Sequence, residues 1–450
     1  MPQTVRAPEH FLSLLQAMRA AMRNPIELWD RDLFSLPYRE IRRFGRKYLE
    51  IMDPALMHEV LVNEVDAFVK SDIQQRYIKP ALGNGLLAAE GASWRLQRPA
   101  AAACFRTKAL EQLLPVIERV GEEAASRLAA HDGQIIDIMP EMMRATFDVV
   151  AQLVLGEEAS GLDQQVLAQA VTDYVETIAL ADPIDAIGGA SWLNRIWPKR
   201  GRRGVKAMRT QATAALHRRR SSTRQHIDLL ARMLAARDRA SGAPMSDIDL
   251  RDNILTFMTA GNETTALTLT WALYLIANDQ AVQDRLAQEA DDVLGEGPLS
   301  SDQIGRLSFH LQVIKETMRL YPPIAILQRR AIRAVTIGGV ALRKGDEVVC
   351  ASYVMHRSEL LWDNPAAFDP DRFSPTRSLG RHRLAHMPFG AGKHICIGLP
   401  LAYMETVAIL ATLMRKVRTE PNPLHEIRPI MRLTVRPAGG MPLRVFTRAS

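Results

Sequence analysis

Phe389-Gly390-Ala391-Gly392-Lys393-His394-Ile395-Cys396-Ile397-Gly398 places three glycines around one cysteine. The residues that follow, Leu399 to Arg415, carry an apolar stripe at helical spacing, with Pro400 in the first turn where a helix tolerates it. Glycine allows backbone to approach something flat or bulky. A cysteine just ahead of a helix meets free N–H groups and the positive end of the helix dipole. Both favour the thiolate, the form that ligates metal. An ordinary buried cysteine in a turn would explain Cys396 alone, but not the whole ten-residue pattern. Cys104 and Cys350 form no CxxC pair with it. Three cysteines in 450 residues exclude a disulfide scaffold and fit a reducing compartment.

Outward from this loop the helical period dominates. The spacing predicts helices over 9–23, 55–65, 109–130, 140–155, 163–180, 203–237, 247–278, 280–294, 301–320 and 399–416. Strands are expected in a minority, at about 38–52, 332–350 and 427–447, broken by Gly338-Gly339, Lys344-Gly345 and Gly439-Gly440. No strand–helix alternation appears, which argues against a doubly wound sheet. The fold class expected is mainly α, one large domain over 1–450. Residues 1–37 form an N-terminal extension. Segments 38–52 and 332–373, with 427–447, contribute a small β-rich region. The segment 254–277 is long enough to cross a bilayer, but Gly261, Asn262, Glu263, Thr264 and Thr265 sit at its centre. It therefore reads as a buried helix.

The apolar share is 47%, the charged share 24% and the formal charge +7, values of a globular chain with a mild basic bias. Arg195, Lys199, Arg200, Arg202, Arg203, Lys206, Arg209, Arg218, Arg219, Arg220 and Arg224 cluster within thirty residues, with Trp192 and Trp197 at the start. A solvated helix face is the simple reading and peripheral membrane contact the second. No nucleic-acid-binding motif accompanies the cluster.

Three further motifs carry chemistry. Ala260-Gly261-Asn262-Glu263-Thr264-Thr265 puts poor helix formers in mid-helix, where a threonine hydroxyl can bond back to the i−4 carbonyl. Ser246 and Asp249 mark that helix's start. Glu316 and Arg319 share a helix face, and Tyr321-Pro322-Pro323 ends the helix. Phe368-Asp369-Pro370-Asp371-Arg372-Phe373 adds an arginine in a turn-rich segment. Trp94-Arg95-Leu96-Gln97-Arg98 fits W-x-x-x-R.

The cysteine loop resembles the haem-binding loop of the cytochrome P-450 family, F-x-x-G-x-R-x-C-x-G, at Phe389, Gly392, Cys396 and Gly398. His394 stands where the family usually has arginine; this implies a weaker and more pH-sensitive propionate contact. The remaining motifs occur in the family's order. The resemblance implies a b-type haem (iron protoporphyrin IX) with Cys396 as its metal ligand. It implies Trp94, Arg98 and Arg329 at the propionates, with Arg330 the alternative to Arg329. Gly261 would flank the haem, and Glu263 and Thr264 would be the acid–alcohol pair that relays protons. Glu316, Arg319 and Arg372 would form a charged structural network on the proximal side.

The implied activity is that of an oxidoreductase: a haem-thiolate monooxygenase that uses dioxygen and hydroxylates a hydrophobic small molecule. Epoxidation, desaturation and coupling stay open, as does a non-catalytic haem sensor or carrier. A zinc site built on Cys396, His386 and His394 lacks the usual fourth ligand at short spacing. The chain shows no flavodoxin-like segment, no GxGxxG fingerprint and no iron–sulfur cysteine set. Electrons are therefore expected from a ferredoxin or flavodoxin with its NAD(P)H reductase, docking near Lys393. A monomer in the cytoplasm is expected. By family position, the substrate pocket draws on Ile73 to Leu87, Phe257, Met258, Ala260, Ile324 to Leu327 and Met431 to Leu433. The choice among fatty acid, terpene, steroid and xenobiotic stays open.

Overall fold

The computed structural model describes residues 2–43, 45–161, 163–177, 199–238 and 240–448; Trp192, Arg195 and Trp197 of the basic cluster lie outside the described residues. The principal helices are α1 (Leu14–Arg23), α2 (Asp72–Leu82), α3 (Gly91–Ala102), α4 (Leu114–Ala129), α5 (Met139–Leu155), α6 (Gln164–Thr177), α7 (Lys199–Ser221), α8 (Leu229–Ala235), α9 (Asp247–Ala277), α10 (Gln280–Val293), α11 (Ser308–Leu320) and α12 (Leu399–Lys416). The fold is mainly α, as expected.

Helix α9 organises the rest. Ser246 caps it by accepting the Asp249 N–H at 3.1 Å, and α5, α7, α11 and α12 pack around it. A helix apolar on all sides belongs in the interior, and α9 is buried along most of its length. Among the described residues, no helix is long and apolar enough to cross a membrane. Trp271 of α9 stacks on Tyr321 at 3.9 Å between ring centres, at the heart of the larger core cluster.

Two expected helices are divided. The segment 203–237 becomes α7 and α8, because Asp228 caps α8 through the Ala231 N–H and also binds Arg219. The segment 301–320 breaks at Leu307. There Glu289 of α10 accepts the Phe309 and His310 N–H groups and so caps α11 from another helix. Helices α2 and α3 were not expected, since each contains an internal proline, Pro80 and Pro99.

Twelve strands are found among the described residues. Five form a sheet in the order β1 (Tyr38–Arg43), β2 (Arg46–Ile51), β8 (Glu347–Cys350), β5 (Leu327–Ala331), β3 (Phe68–Lys70). A second sheet runs β4 (Ile135–Asp137), β12 (Pro442–Thr447), β9 (Val417–Pro421). Two hairpins complete the set: β6 (Val335–Ile337) with β7 (Val340–Leu342), and β10 (Pro429–Met431) with β11 (Val435–Pro437). Strands β3, β4, β5 and β9 lie outside the expected segments, β5 just ahead of the one that begins at 332. β3 and β4 have three residues each, too few for alternation to register, and β9 follows α12 with no intervening turn signal. The five-stranded sheet carries its own smaller core, with Leu49, Ile51 and Val348.

Candidate functional site

The cysteine loop is held from three sides. The Cys396 N–H donates to the Phe389 carbonyl at 2.9 Å, and Phe389 packs edge-on against Tyr403 of α12. Arg98 of α3 donates to the Ile395 carbonyl at 2.8 Å. Gly392 has φ +68°, and a Cβ there would fall 1.9 Å from the Leu61 carbonyl oxygen. Glycine is thus required by both conformation and contact.

Cys396 is accessible to solvent, yet enough protein surrounds it that burial pushes its thiol up. The Gly398 and Leu399 N–H groups and the Arg98 charge pull the other way. The N–H groups act in the direction the sequence suggests, but in the protein alone desolvation outweighs them. A metal cation at the sulfur would supply the missing stabilisation.

Around the loop the structure collects cations. Lys70 of β3 is opposite Arg329 of β5 in the sheet register. Burial pushes Lys70 down to about 8, with Glu90 opposing. Burial, then the charges of Lys70, Arg329, Lys393 and Arg98, push His394 down to about 3. Its ring is therefore neutral near pH 7 in the protein alone. Trp94 sits 4.7 Å from His394, ring centre to ring centre. Arg329 is buried and bonds the Gln328 carbonyl, whereas Arg330 pairs with Asp72. Successive residues of a strand face opposite ways, so Arg329, not Arg330, belongs to this cluster. Among the described residues, neither Arg98 nor Arg329 has a carboxylate in ion-pair range. Buried Arg329 and half-buried Arg98, both without counter-charge, suit an anionic ligand. An enclosed, accessible cysteine beside them suits the propionate-bearing, metal-centred haem that the motifs imply.

Lys393, expected to meet a partner, is already paired with Asp66. His386 Nε2 contacts the Lys315 carbonyl at 3.0 Å. No group of three or more metal-ligating side chains of the zinc type occurs among the described residues.

Mid-helix in α9, Ala260, Gly261, Asn262 and Thr264 are partly accessible, in a helix otherwise buried on both sides of them. Thr264 Oγ1 donates to the Ala260 carbonyl at 2.7 Å, the i−4 bond its position suggested. Thr146 of α5 bonds Asn262, its hydroxyl 2.6 Å from Oδ1. A Cβ on Gly261 would lie 2.7 Å from Val150 Cγ2, so Gly261 is also where α5 and α9 approach closely. Phe105 links this stretch to the cysteine loop. It stacks on Phe257, and a Cβ on Gly398 would meet it at 3.8 Å. Glu263 points elsewhere: its Oε1 accepts from Thr434 at 2.7 Å and from Arg436.

The third motif closes into one buried network. Arg319 grips Glu316 with two bonds, at 2.6 and 2.8 Å, and donates to the His356, Pro365 and Ala367 carbonyls. Arg372 reaches Glu316 Oε1 at 3.2 Å. The structure thus brings Glu316, Arg319 and Arg372 together. Sequence reasoning missed Lys70, Phe105, Thr434 and Arg436. Lys70 lies in a strand too short to read, and the others carry no motif.

A family model described as Cytochrome P-450 matches residues 37–443. Cyclooctatin synthase of Streptomyces melanosporofaciens is 30% identical over 84% of this chain and 81% of its own length. Pentalenene oxygenase of Streptomyces avermitilis is 29% identical over 99% of this chain and 94% of its own. Among solved structures, the cytochrome P450DA heme domain superposes with a TM-score of 0.78 at 23% identity, covering 92% of this chain and 90% of that one.

Proposed function

The chain belongs to the cytochrome P-450 family, and on that premise we propose that it hydroxylates a hydrophobic small molecule with electrons from a ferredoxin or flavodoxin and its reductase. Membership makes it a haem-thiolate monooxygenase that carries haem b, uses dioxygen and depends on a redox partner. The observation that carries the reading is Cys396, enclosed yet accessible, near Arg98 and Arg329, which lack counter-charge among the described residues.

When bound, the haem supplies reductive activation of dioxygen and insertion of one oxygen atom into substrate. Cys396 holds the iron as thiolate, and the Gly398 and Leu399 N–H groups share the charge on its sulfur. Arg98, Arg329, Trp94 and His394 hold the propionates; Phe389, Gly392 and Gly398 shape the loop. The Glu316–Arg319–Arg372 network keeps the loop's surroundings rigid. Thr264, partly accessible in mid-helix and bonded to the Ala260 carbonyl, would pass its hydroxyl proton to the reacting oxygen. Glu263 replenishes that proton, after leaving the partners it has in this structure. Gly261 lets α9 approach α5 closely at Val150 and would flank the haem.

The pocket side chains Phe257, Met258, Ile326, Leu327 and Leu433 are apolar, which supports a hydrophobic substrate. Relatives named for pentalenene and cyclooctatin make such compact hydrocarbons the first to try. We place the enzyme in the cytoplasm as a monomer, working as a single catalytic domain.

The test is a panel of pentalenene, a fatty acid, a steroid and a drug-like xenobiotic. Each is screened for spin-state shift, then for product with ferredoxin or flavodoxin and reductase. A hydroxylated product with either partner supports the reading. Product formed from peroxide alone, and from neither partner, overturns the electron route.

A further inference from the structure

Glu263 is bound to the β10–β11 hairpin. Its Oε1 accepts from Thr434 Oγ1, between β10 and β11, and from Arg436 Nη2 on β11. All three side chains are buried. Eight residues further along α9, Trp271 Nε1 donates to the Val435 carbonyl at 3.1 Å. The hairpin thus hangs from the central helix by two attachments about two turns apart. The Trp271 attachment goes to backbone. The Glu263 attachment goes to side chains and engages the acid next to Thr264.

The ion pair is built on one edge. Arg436 reaches Glu263 through Nη2, while its buried Nε–H has no hydrogen-bond partner among the described residues. A permanent structural pair of this depth would normally use the guanidinium fork in two parallel bonds, as Arg319 does with Glu316. The hairpin's turn carries Leu433, which packs against the larger core, the cluster that holds Phe257 and Met258. A displacement there is transmitted through one residue to Thr434 and through three to Arg436.

We propose that Thr434 and Arg436 form a latch that holds Glu263 away from Thr264 at rest, so that movement of the β10–β11 hairpin controls when protons reach Thr264. This inference rests on the monooxygenase reading and assigns Arg436 as a positioning residue. On release, the Glu263 carboxylate takes up a proton from water and gives it to Thr264 Oγ1 as the Thr264 hydroxyl proton passes to the reacting oxygen. No redox change occurs at either residue.

The test uses haem-loaded, substrate-free protein, reduced with stoichiometric dithionite and mixed with oxygenated buffer. Peroxide formation is timed for the unaltered protein, Arg436→Gln, Thr434→Val, and the double variant Glu263→Gln/Arg436→Gln. Hydrogen exchange at 429–437 is followed in parallel. Arg436→Gln and Thr434→Val should speed peroxide formation about threefold or more and raise exchange at 429–437. The double variant should lose the acceleration and keep the raised exchange. A merely structural role would give the same rate change with or without Glu263. Unchanged peroxide kinetics in both single variants overturns the latch, as does acceleration that survives Glu263→Gln. Should Arg436→Gln fail to take up haem, Thr434→Val carries the same decision. The thiolate spectrum of the unaltered protein separates the two ideas: its loss defeats the monooxygenase reading, whereas its presence with unchanged kinetics defeats the latch alone.

Discussion

Arg319 Nε lies 2.6 Å from Glu316 Oε2, and both side chains are wholly buried. Two charges removed from water stay together only because each is fully satisfied, Glu316 by two arginines and the Asp369 N–H, and Arg319 by three carbonyls as well. Glu316→Gln leaves Arg319 and Arg372 without their carboxylate. It should cost about 3–5 kcal/mol of stability and lower the haem-to-protein ratio. Chemical denaturation and the ratio of haem to protein absorbance check this. Arg319→Lys should not rescue, because lysine lacks the fork.

Thr264→Val keeps the shape of the side chain and removes the hydroxyl that bonds Ala260. Haem uptake should be unaffected. The fraction of electrons lost as peroxide should rise severalfold at the expense of product, as when one proton-transfer group worth roughly 10²-fold is removed. The product-to-peroxide ratio is the measurement, and an unchanged ratio removes Thr264 from the relay.

Gly261→Ala places a methyl 2.7 Å from Val150 Cγ2. Overpacking of this kind costs about 1–3 kcal/mol. Val150→Ala in the same chain should recover most of the loss. Denaturant midpoints of the three variants show whether the two changes are coupled, and strict additivity would mean they are not.

Glu347 is buried on β8. Burial, with a smaller contribution from Asp72, raises it to about 8, against opposing pulls from Arg46 and Arg330. The folded chain therefore keeps a proton that the unfolded chain releases near the ordinary carboxylate value. The stability this gives is full below the unfolded value and is lost as pH rises toward about 8. Glu347→Gln should be nearly neutral at pH 5 and stabilising relative to the native chain at pH 8. Melting temperatures of both proteins across that range decide it; parallel curves contradict it.

What could be read from residues alone was set by how local the signal is. Cys396, Gly392 and Phe389 lie within one loop, and Glu316 and Arg319 within one turn, so spacing exposes them. Ser246 announces the start of α9 because its cap partner is three residues away. The break at Leu307 could not be read, since its cap, Glu289, comes from another helix. Glu263 shows the same limit at the site. Its neighbour in sequence suggests a partnership with Thr264, but its contacts are Thr434 and Arg436, more than 170 residues on. Chemical type was also no guide to electrostatic sign. A cysteine at a helix N-terminus reads as a ready thiolate, yet in the protein alone burial wins.

The central claim is that Cys396 is the thiolate ligand of a haem. The direct measurement is the carbon monoxide difference spectrum of dithionite-reduced protein, taken beside Cys396→Ser. The account predicts a strongly red-shifted Soret band in the native protein, absent from the variant. A band at the shorter wavelength of histidine-ligated haem in the native protein, or a red-shifted band that survives in Cys396→Ser, would contradict it.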